Sequence, residues 1–258
     1  MNFLESIKQK VKTQKKTIVL PETYDSRVLE AAHIALKEEL ADIILIGDKN
    51  EIINNNKDFD LSKATFIDPN NYEKLDELID SLVELRKAKG MTAEKARELL
   101  TKDYLYLGVM LVKHDIADGM VAGAANSTAN VLRPSLQILK TAPNTEVVST
   151  FFIMDVHDQN YGENGILLFS DCALMQNPNA KELAAIAKSA AKSFKSMVGA
   201  DPRISMLSYS TKGSATHPDI DKVIEATKLV KESEPDLKID GELQLDASIV
   251  QKVADLKA

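Results

Sequence analysis

Two polar loops in this chain carry the residue types that hold small anions. Residues 123–128 read Gly-Ala-Ala-Asn-Ser-Thr and lie between a predicted strand and a predicted helix. Small side chains let the backbone close on a ligand, the first helical amides point at it, and the helix dipole favours negative charge. Ser127 and Thr128 add hydroxyl donors, and Arg133 follows about a turn and a half into the helix, so the three could converge on a phosphate. On spacing alone, an ordinary helix cap with an arginine paired to a surface carboxylate is an equal reading. The second loop, residues 208–214, reads Ser-Tyr-Ser-Thr-Lys-Gly-Ser and also joins a strand to a helix. Its hydroxyls, lysine and glycine suit an anion, but their spacing is not that of a Walker A loop. Alone it reads better as a serine-rich connection at a sheet edge. Two such loops, one in each half of the chain, shift the balance toward a cleft with anion donors on both sides, because open α/β sheets bind ligands off the carboxyl ends of their strands.

The remaining chemistry-bearing residues are weaker candidates. Cys172 is the single cysteine, which excludes an intrachain disulfide, and such a residue is more often a small buried side chain than a nucleophile. His33, His114, His157 and His217 are scattered, with no pair at metal-ligand spacing. Arg27 and Arg86 fall at a helix start and a helix end, where arginines are ordinary surface charges. No Ser/His/Asp set follows from order or spacing.

The elements that must position these residues alternate between short apolar runs and helical periodicity. In the first half, strands are predicted over 17–20, 43–46, 64–67 and 119–122. Helices are predicted over 72–86, 92–100, 103–113 and 128–140. Another, capped by Asp25 or Ser26, carries Val28, Leu29, Ala32 and Leu36 on its apolar side. An amphipathic first helix is expected within 1–16, with Phe3, Leu4, Ile7 and Val11 on one face, and residues 54–56 read as a polar loop. Such alternation predicts a largely parallel sheet with helices on both faces. Residues 141–147, with Pro143 and Asn144, read as a boundary between a first lobe, 1–142, and a second, 143–258. In the second, strands at 147–156 and 166–169 suggest an antiparallel hairpin. A helix over 179–198 ends at Gly199, a good left-handed terminator. A strand at 204–207, a helix at 219–231, a strand at 237–239 and one last helix from 247 complete the pattern.

Composition limits the classes of function. The 258 residues suffice for two lobes, and 44% hydrophobic with 28% charged residues is globular composition. The formal net charge of −7 argues against a general nucleic-acid binder. No apolar run approaches a membrane span, and the N-terminus lacks the apolar core of a secretory signal, so a cytoplasmic protein is expected.

Taken together, several runs resemble those of phosphate acetyltransferases. They are Asp118-Gly-Met-Val-Ala-Gly-Ala-Ala-Asn-Ser-Thr128 continuing through Arg133-Pro134 to Thr141, and Met206-Leu-Ser-Tyr-Ser-Thr-Lys-Gly-Ser214. Phe169-Ser-Asp-Cys-Ala-Leu174, Asp240-Gly-Glu-Leu-Gln244, Leu85-Arg-Lys-Ala-Lys-Gly-Met91, and Leu20-Pro-Glu22 with Arg27 fit the same family, in the expected order. The resemblance implies two α/β lobes of αβα-sandwich type, similar to isocitrate and isopropylmalate dehydrogenases, with a cleft between them. It implies reversible acetyl transfer between acetyl phosphate and coenzyme A, with phosphate released, no metal, and direct attack by the thiolate. Arg133, Ser127 and Thr128 would hold the phosphoryl end. Arg86 and Arg27 would bind substrate anions, coenzyme A included, Asn126 would donate a hydrogen bond, and Tyr209, Lys212 and Ser214 would line the opposite wall. A homodimer paired through the second lobe is also implied, with the apolar residues of 166–174 as one source of the contact.

Two departures from the family pattern stand out. Members commonly carry histidine where this chain has Asn126. They also continue past Ala258 into a segment with a serine–arginine pair and the aspartate assigned as base, so a shortened chain of doubtful activity is expected. Phosphate butyryltransferase, or a non-catalytic acetyl-coenzyme A sensor like the module appended to some malic enzymes, are the alternative readings.

Overall fold

The computed structural model describes residues 2–143 and 145–258. Met1 and Asn144, which fall in the predicted first helix and the predicted lobe boundary, lie outside the described residues. The chain divides into two compact units, Met1–Lys140 and Thr141–Ala258.

The first unit is built on a four-stranded parallel sheet of β1 (Thr17–Leu20), β2 (Asp42–Ile46), β3 (Thr65–Ile67) and β4 (Gly119–Met120), in the order β3-β2-β1-β4. Alternate side chains of a strand face opposite sides, and here they feed two cores. Ile43 and Leu45 join Val28, Leu29, Ala32 and Leu36 of α2 (Ser26–Lys37), with Leu61, on one face. Ile44 and Ile46 join Leu78 and Leu82 of α4 (Leu75–Arg86), Leu100 of α5 (Ala93–Lys102) and Leu107 of α6 (Tyr104–Lys113) on the other. Helices therefore cover both faces of the parallel sheet, as the alternation predicts. α6 crosses β1 and β4 closely at Gly108, where a Cβ would lie 2.7 Å from Met120 Sδ and 3.3 Å from Val19 Cγ1.

Several boundaries differ from the sequence expectation. Residues 54 and 55 are not loop but the end of α3 (Lys49–Asn55), a helix capped by Asp48 and anchored by buried Ile52. Those local signals were outweighed in the sequence by three successive asparagines. α1 (Phe3–Thr13) has no buried residue, and Leu4 faces solvent. α4 starts at Leu75 rather than 72, and β4 keeps two residues of its predicted four. α7 (Thr128–Ile138) ends before Lys140, whose φ is +64°.

The second unit pairs β5 (Phe151–Asp155) antiparallel with β6 (Ile166–Ser170), the expected hairpin. α8 (Ala180–Val198) starts with a capping box between Asn179 and Glu182 and ends at Gly199, φ +84°. β7 (Arg203–Leu207) pairs parallel with β8 (Lys238–Leu243) through α9 (Pro218–Ser233). Ala184, Ala187, Met206, Val223, Ala226, Val230 and Ile239 form the core. The small residues on α8 and α9 let these helices pack closely on each other. The single last helix expected from 247 is two helices, α10 (Leu245–Ile249) and α11 (Gln251–Lys257), separated by Val250 in an extended conformation.

The parallel pair β7–β8 depends on Gly241, where a Cβ would lie 2.6 Å from Met206 Cβ and 2.9 Å from its carbonyl oxygen. Backbone and a buried side chain cannot both retreat. Gly241→Ala is expected to cost about 1–3 kcal/mol, read as a lower urea midpoint for the second unit.

Candidate functional site

Neighbouring parallel strands place the loops at their carboxyl ends side by side, and β1 and β4 do so here. The loop after β1 carries Glu22; the loop after β4 carries residues 123–126. The Glu22 carboxylate, 1% exposed, accepts five hydrogen bonds from that second loop. Gly123 N and Ala124 N donate to Oε2 at 2.8 and 2.9 Å. Ala125 N, Asn126 N and Asn126 Nδ2 donate to Oε1 at 3.0, 2.8 and 2.8 Å. Burial alone would raise the carboxyl pKa. The Asn126 amide and the backbone donors overcome that and hold it below the usual glutamate value. The small residues of the loop do bring the backbone close to an anion, as expected, but the anion is a side chain of the protein itself.

That arrangement sorts the candidate residues of the first unit. Asn126 is engaged internally, its Nδ2 donating to Glu22 and to the Tyr24 hydroxyl at 2.7 Å. Ser127 is the N-cap of α7, its hydroxyl accepting from Asn130 N at 3.3 Å. Thr128 is exposed at the first position of the helix. Arg27 is forked onto Asp25 through Nε and Nη2, and Nη2 also donates to the Ala124 carbonyl at 2.7 Å. Its guanidinium is therefore tied to the same loop.

Arg86 and Arg133 behave differently. Arg86 ends α4 and Arg133 lies on α7, and both guanidinium charges act on the hydroxyl of Tyr106, on α6. Tyr106 is buried and donates to Gln137 Oε1 at 2.9 Å. Burial and then Asp103 raise its pKa, while Arg133 and Arg86 pull the other way. Among the described residues neither arginine has an ion pair or a hydrogen bond, and Arg86 Nε is a buried donor without an acceptor. An unsatisfied buried donor costs about 1–3 kcal/mol, and an anion's oxygens would remove that cost.

The second loop repeats the device of the first. Glu242, on β8 and 3% exposed, accepts from Gly213 N at 2.7 Å and Ser210 Oγ at 3.0 Å. Burial would raise its pKa, and the Gly213 amide and the Ser210 hydroxyl are among the donors that hold it down. Ser214 Oγ accepts from Thr211 N at 3.0 Å, and Lys212 Nζ is paired with Asp240 at 2.7 Å. Lys212 and Ser214 thus serve the second unit's own structure, whereas the Tyr209 ring is exposed, 6.4 Å from that of His217.

A cavity of about 910 Å³ in the first unit opens beside Glu22, Tyr24 and Asn126. Asp48, Glu51 and Asp103 also line it, and its one lysine, Lys102, is paired with Glu98. Its charge does not suit a polyanion. Cys172 is half-buried with its sulfur 3.5 Å from Thr150 Oγ1. Among the described residues, no group of three or more His, Cys, Asp and Glu is placed to hold a metal ion, and no helix is long and apolar enough to cross a membrane.

Sequence reasoning singled out the loops and arginines but gave no role to Glu22, Glu242 or Tyr106. Glu22 and Glu242 lay inside recognised runs, but nothing in a single sequence marks a glutamate as buried. The partner loops are about a hundred residues away for Glu22 and about thirty for Glu242.

A parallel α/β unit that carries a hydroxyl-capped helix and two arginines without an ion pair among the described residues has the groups that can hold small anions. The family model "Phosphate acetyl/butaryl transferase" matches residues 2–258, and the chain belongs to that family. It is 52% identical over its full length to the phosphate acetyltransferase of Thermoanaerobacterium thermosaccharolyticum, covering 78% of that protein. It is 54% identical to that of Acetivibrio thermocellus, again over its full length and covering 77% of the relative. A phosphotransacetylase structure from Streptococcus pyogenes superposes with a TM-score of 0.90 at 41% identity, over 99% of this chain and 76% of that one.

Both buried carboxylates make acid stability predictable. Each has a folded pKa below its unfolded value near 4.5. Their stabilisation is therefore complete above that value and lost as pH falls through the folded value. Glu242→Gln is expected to be less stable than the parent at neutral pH, with the gap narrowing as pH drops below about 4.5. Urea unfolding at a series of pH values measures it, and a constant gap would contradict the assignment.

Proposed function

We propose that this chain catalyses the reversible reaction of acetyl phosphate with coenzyme A. The coenzyme A thiol loses its proton and its sulfur attacks the acetyl carbon. The bond between the acetyl carbon and the bridging phosphate oxygen then breaks, and inorganic phosphate leaves with the bonding pair and takes up a proton in place of the one the thiol lost. Negative charge on the phosphoryl oxygens and the developing oxyanion is what the protein must stabilise. The observation that carries the proposal is the pair Arg86 and Arg133, two unpaired guanidiniums about one buried tyrosine in a chain whose other candidate cations, Arg27 and Lys212, are already paired. Arg133, with Ser127 and Thr128 at the head of its helix, holds acetyl phosphate, and Arg86 meets the phosphates of coenzyme A; a share for Arg27, which is tied to Asp25 and the Ala124 carbonyl, rests on the family resemblance. Asn126 contributes by fixing the loop. The roles of Tyr209, Lys212 and Ser214 rest on the family resemblance. In this reading the reaction runs without a metal, in the cytoplasm.

The functional protein is a homodimer in this proposal. Its support is the β5 edge of the second unit, where Phe152, Met154 and Val156 alternate onto one face and are 55%, 42% and 39% exposed. Ile166, in the segment first considered for this contact, is buried, and Leu167 to Phe169 are half-buried. Sedimentation equilibrium should show a dimer, and Phe152→Asp should shift it to monomer; a monomeric parent would contradict the dimer.

Thioester formation from acetyl phosphate and coenzyme A tests the activity directly. Arg133→Ala is expected to lower kcat/KM by about 10²-fold or more, as loss of a charge-stabilising donor does, and unchanged kinetics would remove Arg133 from the site. Butyryl phosphate assayed beside acetyl phosphate separates the two activities in the family description. Coenzyme A binding without turnover would instead mark a sensing module.

A further inference from the structure

We propose that Glu22 is a positioning residue for the acetyl phosphate end of the site, a role that rests on the functional reading above. One carboxylate holds four consecutive backbone amides, 123 to 126, and the side chain of Asn126. The next two residues are Ser127, which caps α7, and Thr128, its first residue. Five residues further along the same helix is Arg133. The Ala124 carbonyl of the clamped loop in turn accepts from Arg27. The location of Ser127 and Thr128, the origin of the helix that carries Arg133, and the tether of Arg27 are therefore all referred to one buried group.

The other contacts that reach the loop are single hydrogen bonds, from Arg27 to the Ala124 carbonyl and from Asn126 to the Tyr24 hydroxyl. The loop is made of Gly, Ala, Ala and Asn, with no apolar side chain large enough to anchor it by packing, and residues 123–125 are exposed. Glu22 is itself fixed, since it follows β1 after Pro21 and precedes Thr23, whose hydroxyl donates to the Ile46 carbonyl at the end of β2 at 2.6 Å. The clamp thus transmits the rigidity of the two central strands to a loop that packing does not anchor. A neutral amide at position 22 keeps the shape but sets donors against donors.

The test compares the parent chain with Glu22→Gln and Glu22→Asp in thioester formation, with KM determined separately for acetyl phosphate and coenzyme A. Misplacing a binding constellation by about 1 Å can cost about 10²-fold. Glu22→Gln is therefore expected to lower kcat/KM for acetyl phosphate by roughly that factor, with a rise in its KM. Glu22→Asp, which keeps the charge on a shorter arm, should lose less. A merely structural role lowers the folded fraction, so kcat falls while both KM values stay put; that result, or unchanged kinetics, overturns the proposal. If the Gln variant does not fold, Glu22→Asp and hydrogen exchange on the parent still decide. Amides 123 to 126 should exchange slowly although residues 123–125 are exposed, and fast exchange overturns the clamp. A parent chain that forms no thioester removes the functional reading instead, and the parent assay alone identifies that outcome.

Discussion

A carboxylate taken out of water is costly unless donors replace its hydration shell. The architecture of the first unit around its site follows from meeting that condition at Glu22. Parallel pairing of β1 with β4 sets the two loops side by side. The small residues of 123–125 allow four amides to turn onto one side chain, and Asn126 adds a fifth donor. The geometry that would accept a phosphate is thereby filled from within, and the loop becomes a rigid support rather than a binding surface. The second unit solves the same problem with Glu242 and the loop that contains Gly213, whose φ of +83° turns its amide onto the carboxylate.

Filling both loops redistributes the work of anion recognition. Backbone amides that are already bonded to a carboxylate cannot also bond a substrate. Of the candidate cations, Arg86 and Arg133 keep their charge available, since they lack acidic partners among the described residues. Arginine suits the task because its planar fork matches the oxygens of a phosphoryl group and stays charged at any physiological pH. Tyr106, buried on α6 and held by Gln137, is a common neighbour of the two guanidiniums.

The sequence shows much of this, and its limits have physical causes. Continuous apolar runs such as Ile43 to Ile46, buried on both faces, and the helical stripe Val28, Leu29, Ala32, Leu36 predict elements because burial imposes those patterns. The caps Asp25, Thr92, Asp103 and Asn179 mark helix starts as their chemistry requires. α3 was hidden because three asparagines look like a loop, although Asp48 and Ile52 secure the helix. The break at Val250 has no turn residue to announce it. The candidate site was legible as a set of types, with Ser127, Thr128, Arg133 and Arg86 all in view. The pairing state of each was not. Whether Arg27 meets Asp25 and whether Lys212 meets Asp240 depends on tertiary neighbours. A buried glutamate reads the same in sequence as a solvated one.

The central claim is that substrate anions meet the free arginines while the loop amides stay bonded to Glu22. Nitrogen-resolved NMR during titration with acetyl phosphate tests it most directly. The account predicts that the side-chain Nε–H signal of Arg133 shifts with saturation, and that of Arg86 when coenzyme A is titrated in turn, while the backbone amides of residues 123 to 126 move little. Large shifts at those four amides with the arginine signals unmoved would mean that the loop releases Glu22 to bind phosphate itself, and would contradict the account.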